Sequence, residues 1–322
     1  MLKIIVLFCG VFLSFTLATQ SHKVAVIGLW PLPSLLAFWS DAKLVYIPRT
    51  SYNVMQNSIN EKYFPQYKEA RIGNNENLEE LLAMDVDIYI CGFANLKICG
   101  GLKNAGVKVI ELSTNIDNHN SKKTLEHWLV ELQPYFSIYE KNQKLLHSIT
   151  QIEEFIEKKT KNLKKPKVLI IHRFEKDNIS TGYFSDYLIG FSGGENPLGY
   201  RDLKSVGVEE IYNLDPDVIY ISNFTPLSPQ EFMKKKEYKS LKAVKQNRVY
   251  KLPLATYRPF APSLELGPVL LFLAKHNHPE AFKDLDMRKI FKDYFYEFYE
   301  IALEEKELDL ILNPNAKTGI HY

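Results

Sequence analysis

One stretch of this 322-residue chain is written twice. Glu79-Glu80-Leu81-Leu82-Ala83-Met84-Asp85-Val86-Asp87-Ile88-Tyr89-Ile90 returns 130 residues on as Glu209-Glu210-Ile211-Tyr212-Asn213-Leu214-Asp215-Pro216-Asp217-Val218-Ile219-Tyr220-Ile221. Each copy runs from an acid pair through an amphipathic helix and a short turn into a buried strand. In both, the first Glu precedes the final Asp by eight positions. A repeated supersecondary unit calls for two similar halves, and the chain is long enough for each to bury its own core. Glu79 and Glu209 then occupy equivalent corners of two lobes.

The surrounding pattern has the same texture. Apolar runs at Lys23–Gly28, Lys43–Ile47, Asp87–Cys91 and Val107–Leu112 read as strands buried on both faces, and segments of helical spacing lie between them. The alternation restarts at Lys167–Ile171 and continues through Val218–Ser222 and Arg248–Leu252. Between the halves, residues 136–165 lack both Gly and Pro and are followed by Pro166, with Ile138, Leu145, Ile149, Ile152, Ile156 and Leu163 along one helical face. The expected fold is α/β: two Rossmann-like lobes with parallel sheets (19–135 and 166–322), one long α-helix joining them (136–165), and a ligand cleft between. Phe291, Tyr294, Phe295, Phe298 and Tyr299 form an aromatic stripe at helical spacing, which reads as core.

The first residues decide the expected compartment. Lys3, an apolar run from Ile4 to Phe15 and Thr16-Leu17-Ala18 form a secretory signal peptide, residues 1–18, so the mature chain is expected in the periplasm. Phe8 before Cys9 argues against lipidation. In an oxidising compartment Cys91 and Cys99 are either bridged or buried as small apolar residues. Lys+Arg 40 against Asp+Glu 38, with no basic block, speaks against a nucleic-acid partner.

Ligands of parallel sheets bind where the carboxyl ends of the strands open into loops. The residues there are Trp30, Arg49, Phe93, His172, Arg173, Asn223, Tyr257 and Arg258. Rings and guanidinium groups suit a bulky anionic or aromatic small molecule. A bare divalent ion would need several His, Asp or Glu, and His172 is the one metal-ligand type in the set. Gly190-Phe191-Ser192-Gly193-Gly194 mimics a nucleophile elbow, but a helix precedes it where a strand is required. An enzyme or metallochaperone using His172, Tyr183 or Asp186 is the competing reading, without a triad, metal box or cofactor fingerprint behind it.

In their order along the chain, several of these features resemble the periplasmic solute-binding proteins of ABC importers for ferric siderophores, haem, cobalamin and related metal chelates. They are the doubled Glu-to-Asp unit, Gly193-Gly194-x-Asn196, the run Tyr238 to Tyr250, Pro262-Ser263-Leu264-Glu265-Leu266 followed by His278-Pro279-Glu280, and Phe295-Tyr296-x-Phe298-Tyr299. The resemblance implies a monomeric two-lobe receptor with a rigid helical backbone, no intrinsic cofactor and no catalysis. It further implies docking onto an inner-membrane permease through Glu79 and Glu209. The implied cargo is an iron or other metal chelate, such as a siderophore or haem, with nickel chelate, cobalamin or a metal oxyanion such as molybdate as alternatives. The stretch before the first strand is shorter than is usual in that family, and Trp30-Pro31-Leu32-Pro33 is nearer to its less characterised metal-uptake members.

Overall fold

A computed structural model describes residues 21–73, 77–92, 95–175, 178–199 and 202–320. The leader, with Cys9, and Phe93 lie outside the described residues. The first sheet is parallel, in the order β3-β2-β1-β4-β5, with β1 Lys23–Ile27, β2 Lys43–Pro48, β3 Arg71–Gly73, β4 Ile88–Gly92 and β5 Val109–Leu112. Its winding reverses between β1 and β4, which opens a crevice at their carboxyl ends. Gly28 marks that end of β1 at φ +67°, and a Cβ there would lie 1.7 Å from Asn95 Oδ1, so only glycine fits.

The second lobe has a three-stranded parallel sheet, β11-β10-β6, built from β6 Val168–Ile171, β10 Val218–Ile221 and β11 Val249–Lys251. Beside it is an antiparallel sheet that the sequence reading lacked: β7 Arg173–Glu175, β8 Asn178–Thr181 and β9 Lys204–Val206. Strands of three and four residues are too short to show a period.

The sequence echo has a structural cause. Asp87 accepts from Lys23 N through its side chain at 2.7 Å, while its own N–H donates to Lys23 O at 2.9 Å. Asp217 does the same to Lys167, at 2.8 Å in both directions. Each copy thus ends in an aspartate that clamps the start of its lobe's first strand.

The connecting helix spans Tyr139–Thr160, 22 residues, about 33 Å at 1.5 Å per residue. It is shorter than 136–165 because Ile138 serves as the N-cap and the chain leaves helical geometry ahead of Lys165-Pro166. Trp39 Nε1 donates to Asn142 Oδ1 at 2.7 Å. Glu153 accepts from Lys122 and from Tyr187 Oη, both at 2.5 Å, and so ties helix Ser121–Leu132 to helix Ser185–Phe191. One continuous apolar cluster runs from β1 through Leu145, Ile149 and Ile156 to the buried helix Leu266–Asn277 and on to helix Met287–Tyr299. The aromatic stripe of that last helix is core, and it reaches back to the first lobe: Tyr299 packs edge-on to Phe38 and Phe298 tilts against Trp39. Among the described residues no helix is long and apolar enough to cross a membrane.

Candidate functional site

The loops beyond β6, β10 and β11 converge on one place. His172, buried after β6, stacks on Phe260 at 4.8 Å between ring centroids and tilts against Phe224 at the same distance. Phe224 follows β10, and the guanidinium carbon of Arg258 lies 4.6 Å from its ring centroid. Arg258 is fully buried. Its Nη2 donates to the carbonyls of Thr318 and Ile320. Its Nε and Nη1 and Arg173 Nε are buried donors without a well-formed hydrogen bond among the described residues, Tyr257 Oη lies close enough to Arg258 to interact with it, and Asn223 Oδ1 is a buried acceptor in the same state. An unmet donor on a buried cation costs about 1–3 kcal/mol or more, so the guanidinium donors of Arg258 and Arg173 mark a surface shaped for an acceptor.

Cations crowd this cluster, with Glu231 the one carboxylate that acts on Lys251. Burial lowers the Arg258 guanidinium below its ordinary value; Tyr257 opposes that shift and Arg173 adds to it. Lys251, at the end of β11, is pushed down to about 7 by burial and then by Arg258. Its Nζ donates to the carbonyls of Ser222, Thr225 and Leu227 at 2.9, 2.7 and 3.0 Å. Burial raises Tyr257 to about 12, so its phenol stays a neutral donor.

The two first-lobe candidates, Trp30 and Arg49, sit beside one helix. Trp30 is half-buried, and its carbonyl accepts from Ser51 Oγ at 2.7 Å. Arg49 is exposed and opens helix Arg49–Gln56, which also carries Ser51 and Asn53. Asn53 and Arg258 donate to the same Ile320 carbonyl, which links this helix to the Arg258 cluster.

Sequence reasoning stopped short of His119. Asp117, Asn118 and His119 are consecutive left-handed residues, with φ of 48°, 57° and 56°. They carry the His119 ring to 4.9 Å from Tyr183 and its Nε2 to 3.5 Å from Asp202 Oδ1 in the second lobe. Tyr183 is itself at φ 48° and meets His172 edge-on at 5.9 Å. The available signal was the Asp-Asn-His run, the residue types most tolerant of that backbone region. His172 has rings for neighbours, and no group of three or more His, Cys, Asp or Glu side chains fit to hold a metal ion occurs among the described residues.

The acid pairs divide their work in the same way in both lobes. Glu80 pairs with Arg71 and Glu210 with Lys204, whereas Glu79 and Glu209 are exposed and have no ion pair among the described residues. Cys91 on β4 is disulfide-bonded to Cys99 on helix Leu96–Asn104. Ser192 of the elbow-like motif is buried, donating to Ile189 O and accepting from Asn277. His276 is spent on Phe272 O, and His278 on Gly193 O.

A family model described as periplasmic binding protein matches residues 48–256. The molybdate-binding protein MolA of Haemophilus influenzae is 22% identical over 257 residues, 71% of either chain. A periplasmic solute binding protein from Veillonella parvula superposes with a TM-score of 0.78 at 24% identity, over 92% of this chain and 93% of that one. Helicobacter pylori CeuE in complex with Ni-His superposes at 0.71 with 21% identity, over 91% and 94%.

Proposed function

The chain belongs to the periplasmic binding protein family, and from that premise we propose that it is the receptor of an ABC importer for a metal-bearing solute with anionic oxygen atoms. The observation that carries this reading is the buried Arg258, with two nitrogens unmet, set beside Tyr257 Oη and against the ring of Phe224. A guanidinium in that setting selects negative charge and hydrogen-bond acceptors, and the rings of His172, Phe224 and Phe260 give a flat apolar wall for the rest of the ligand. MolA is named for molybdate and CeuE is described with Ni-His. A metal oxyanion and a chelate with free carboxylates offer Arg258 the same chemistry, and an iron chelate belongs to that class.

Arg173, Asn223, Tyr257 and Arg258 are the polar contacts in this proposal, with Trp30 and Arg49 facing them from the other rim and His172 contributing ring surface. Glu79 and Glu209, each left exposed while its neighbour is paired, are the docking acids for basic residues of a permease. The protein captures and releases its cargo unchanged, a role supported by the structural employment of Ser192, His276 and His278. Residues 1–18 direct export.

Calorimetric titration with molybdate, nickel–histidine, a ferric chelate and haemin, beside elemental analysis of protein taken from its own periplasm, tests the reading. Binding of one of these, lost in Arg258→Met, supports it. Binding that Arg258→Met leaves untouched refutes the assigned site, and a neutral, metal-free cargo refutes the ligand class.

A further inference from the structure

The last described segment does not lie on the second sheet. After helix Met287–Tyr299 has packed on Phe38 and Trp39, the segment 313–320 lies against helix Arg49–Gln56. Asn53 Nδ2 donates to Lys317 O at 2.8 Å and to Ile320 O at 3.4 Å. From the other side, Arg258 Nη2 donates to Thr318 O and, at 3.4 Å, to Ile320 O. Thr318 is fully buried. Gly319 presses so closely on the Thr225–Pro226 main chain that a Cβ would stand 2.2 Å from Thr225 C. A first-lobe amide and a second-lobe guanidinium therefore share one short stretch of main chain.

We propose that residues 313–320 are an interlobe clasp that positions Arg258. Main-chain carbonyls are neutral acceptors, so they orient the guanidinium without discharging it, as a carboxylate would. The clasp holds Nη2 and leaves Nε and Nη1 for the cargo. Because Asn53 grips the same segment, cleft width and guanidinium orientation are coupled. The positioning role rests on the reading of Arg258 as a ligand contact; the clasp itself can be tested without a ligand.

Spin labels on cysteines placed at exposed Asn104 and Lys239, one per lobe, report the interlobe distance. Asn53→Ala, and separately a chain ended after Leu312, should each broaden and lengthen that distribution. Whichever of molybdate or nickel–histidine binds the parent should bind each variant at least about tenfold more weakly, the order expected from losing one hydrogen bond and some preorganisation. Distributions identical to the parent in both variants overturn the clasp. Tighter binding by the shortened chain overturns the positioning role and makes the segment a competitor of the cargo. If neither probe binds the parent, the cargo reading fails while the distance measurement still decides the clasp.

Discussion

Replacing Arg258 by Met takes a charge out of the interior, and the structure sets how affinity and stability should each respond. In the bound state the two nitrogens without partners, Nε and Nη1, are the ones free for an anion. Charge-assisted bonds contribute about 1.5–3 kcal/mol each, so losing two should weaken binding by about 3–6 kcal/mol, roughly a hundred- to ten-thousandfold. In the free protein opposing effects are of like size. The variant loses the bonds to Thr318 O and Ile320 O, but it also removes a buried cation whose other donors are unmet. Breaking a true buried ion pair costs about 3–5 kcal/mol; here the free protein should change by less than about 2 kcal/mol. Titration calorimetry with molybdate and nickel–histidine measures the first quantity and urea unfolding of the free protein the second. Unchanged affinity, or a loss of stability above about 3 kcal/mol with affinity nearly intact, refutes the reasoning and makes Arg258 a structural residue.

Three other outcomes are expected. Glu79→Ala with Glu209→Ala should leave cargo affinity unchanged and abolish most uptake by cells or permease vesicles, because both carboxylates are exposed and make no ion pair among the described residues; an affinity change as large as the uptake change would assign them to binding. Cys91→Ser with Cys99→Ser opens a closure eight residues apart and should lower unfolding stability by about 2–3 kcal/mol in urea; a loss below about half of one kcal/mol would mean the bridge contributes nothing. Lys251, held at about 7 in the folded protein against 10.5 when exposed, leaves the unfolded chain binding more protons between those values. Stability should therefore climb as pH rises from 7 towards 10, by at most about 1.4 kcal/mol per pH unit, and Lys251→Met should flatten that component of the slope.

Much of the scaffold was legible because burial leaves a local trace. A strand covered on both faces is a continuous apolar run, and Val24–Ile27, Ile88–Cys91 and Val218–Ile221 are all buried. The echo of Glu79 to Asp87 in Glu209 to Asp217 was visible for a related reason: each Asp must meet the main chain at the start of a strand, and that demand fixes its place relative to the helix before it. That His172, Phe224 and Arg258 come together was legible because parallel strands deliver their carboxyl ends to one edge.

What a one-dimensional pattern cannot carry is which distant groups meet. His119 reaches Tyr183 only through a left-handed run, and the antiparallel strands beside His172 are too short to announce themselves. Asn53 meets a carbonyl 264 residues away, and Arg258 one that is 60 residues away. The amino-acid order by itself determined the repeated strand–helix units and hence two lobes, since unbroken apolar runs and the 3.6-residue period are set by neighbours along the chain. Closure of the chain decided the rest: the tail's return to the first lobe, the bridge through Ile320, and the unmet nitrogens of Arg258. Those arise from packing between surfaces whose separation in sequence leaves no periodic signal.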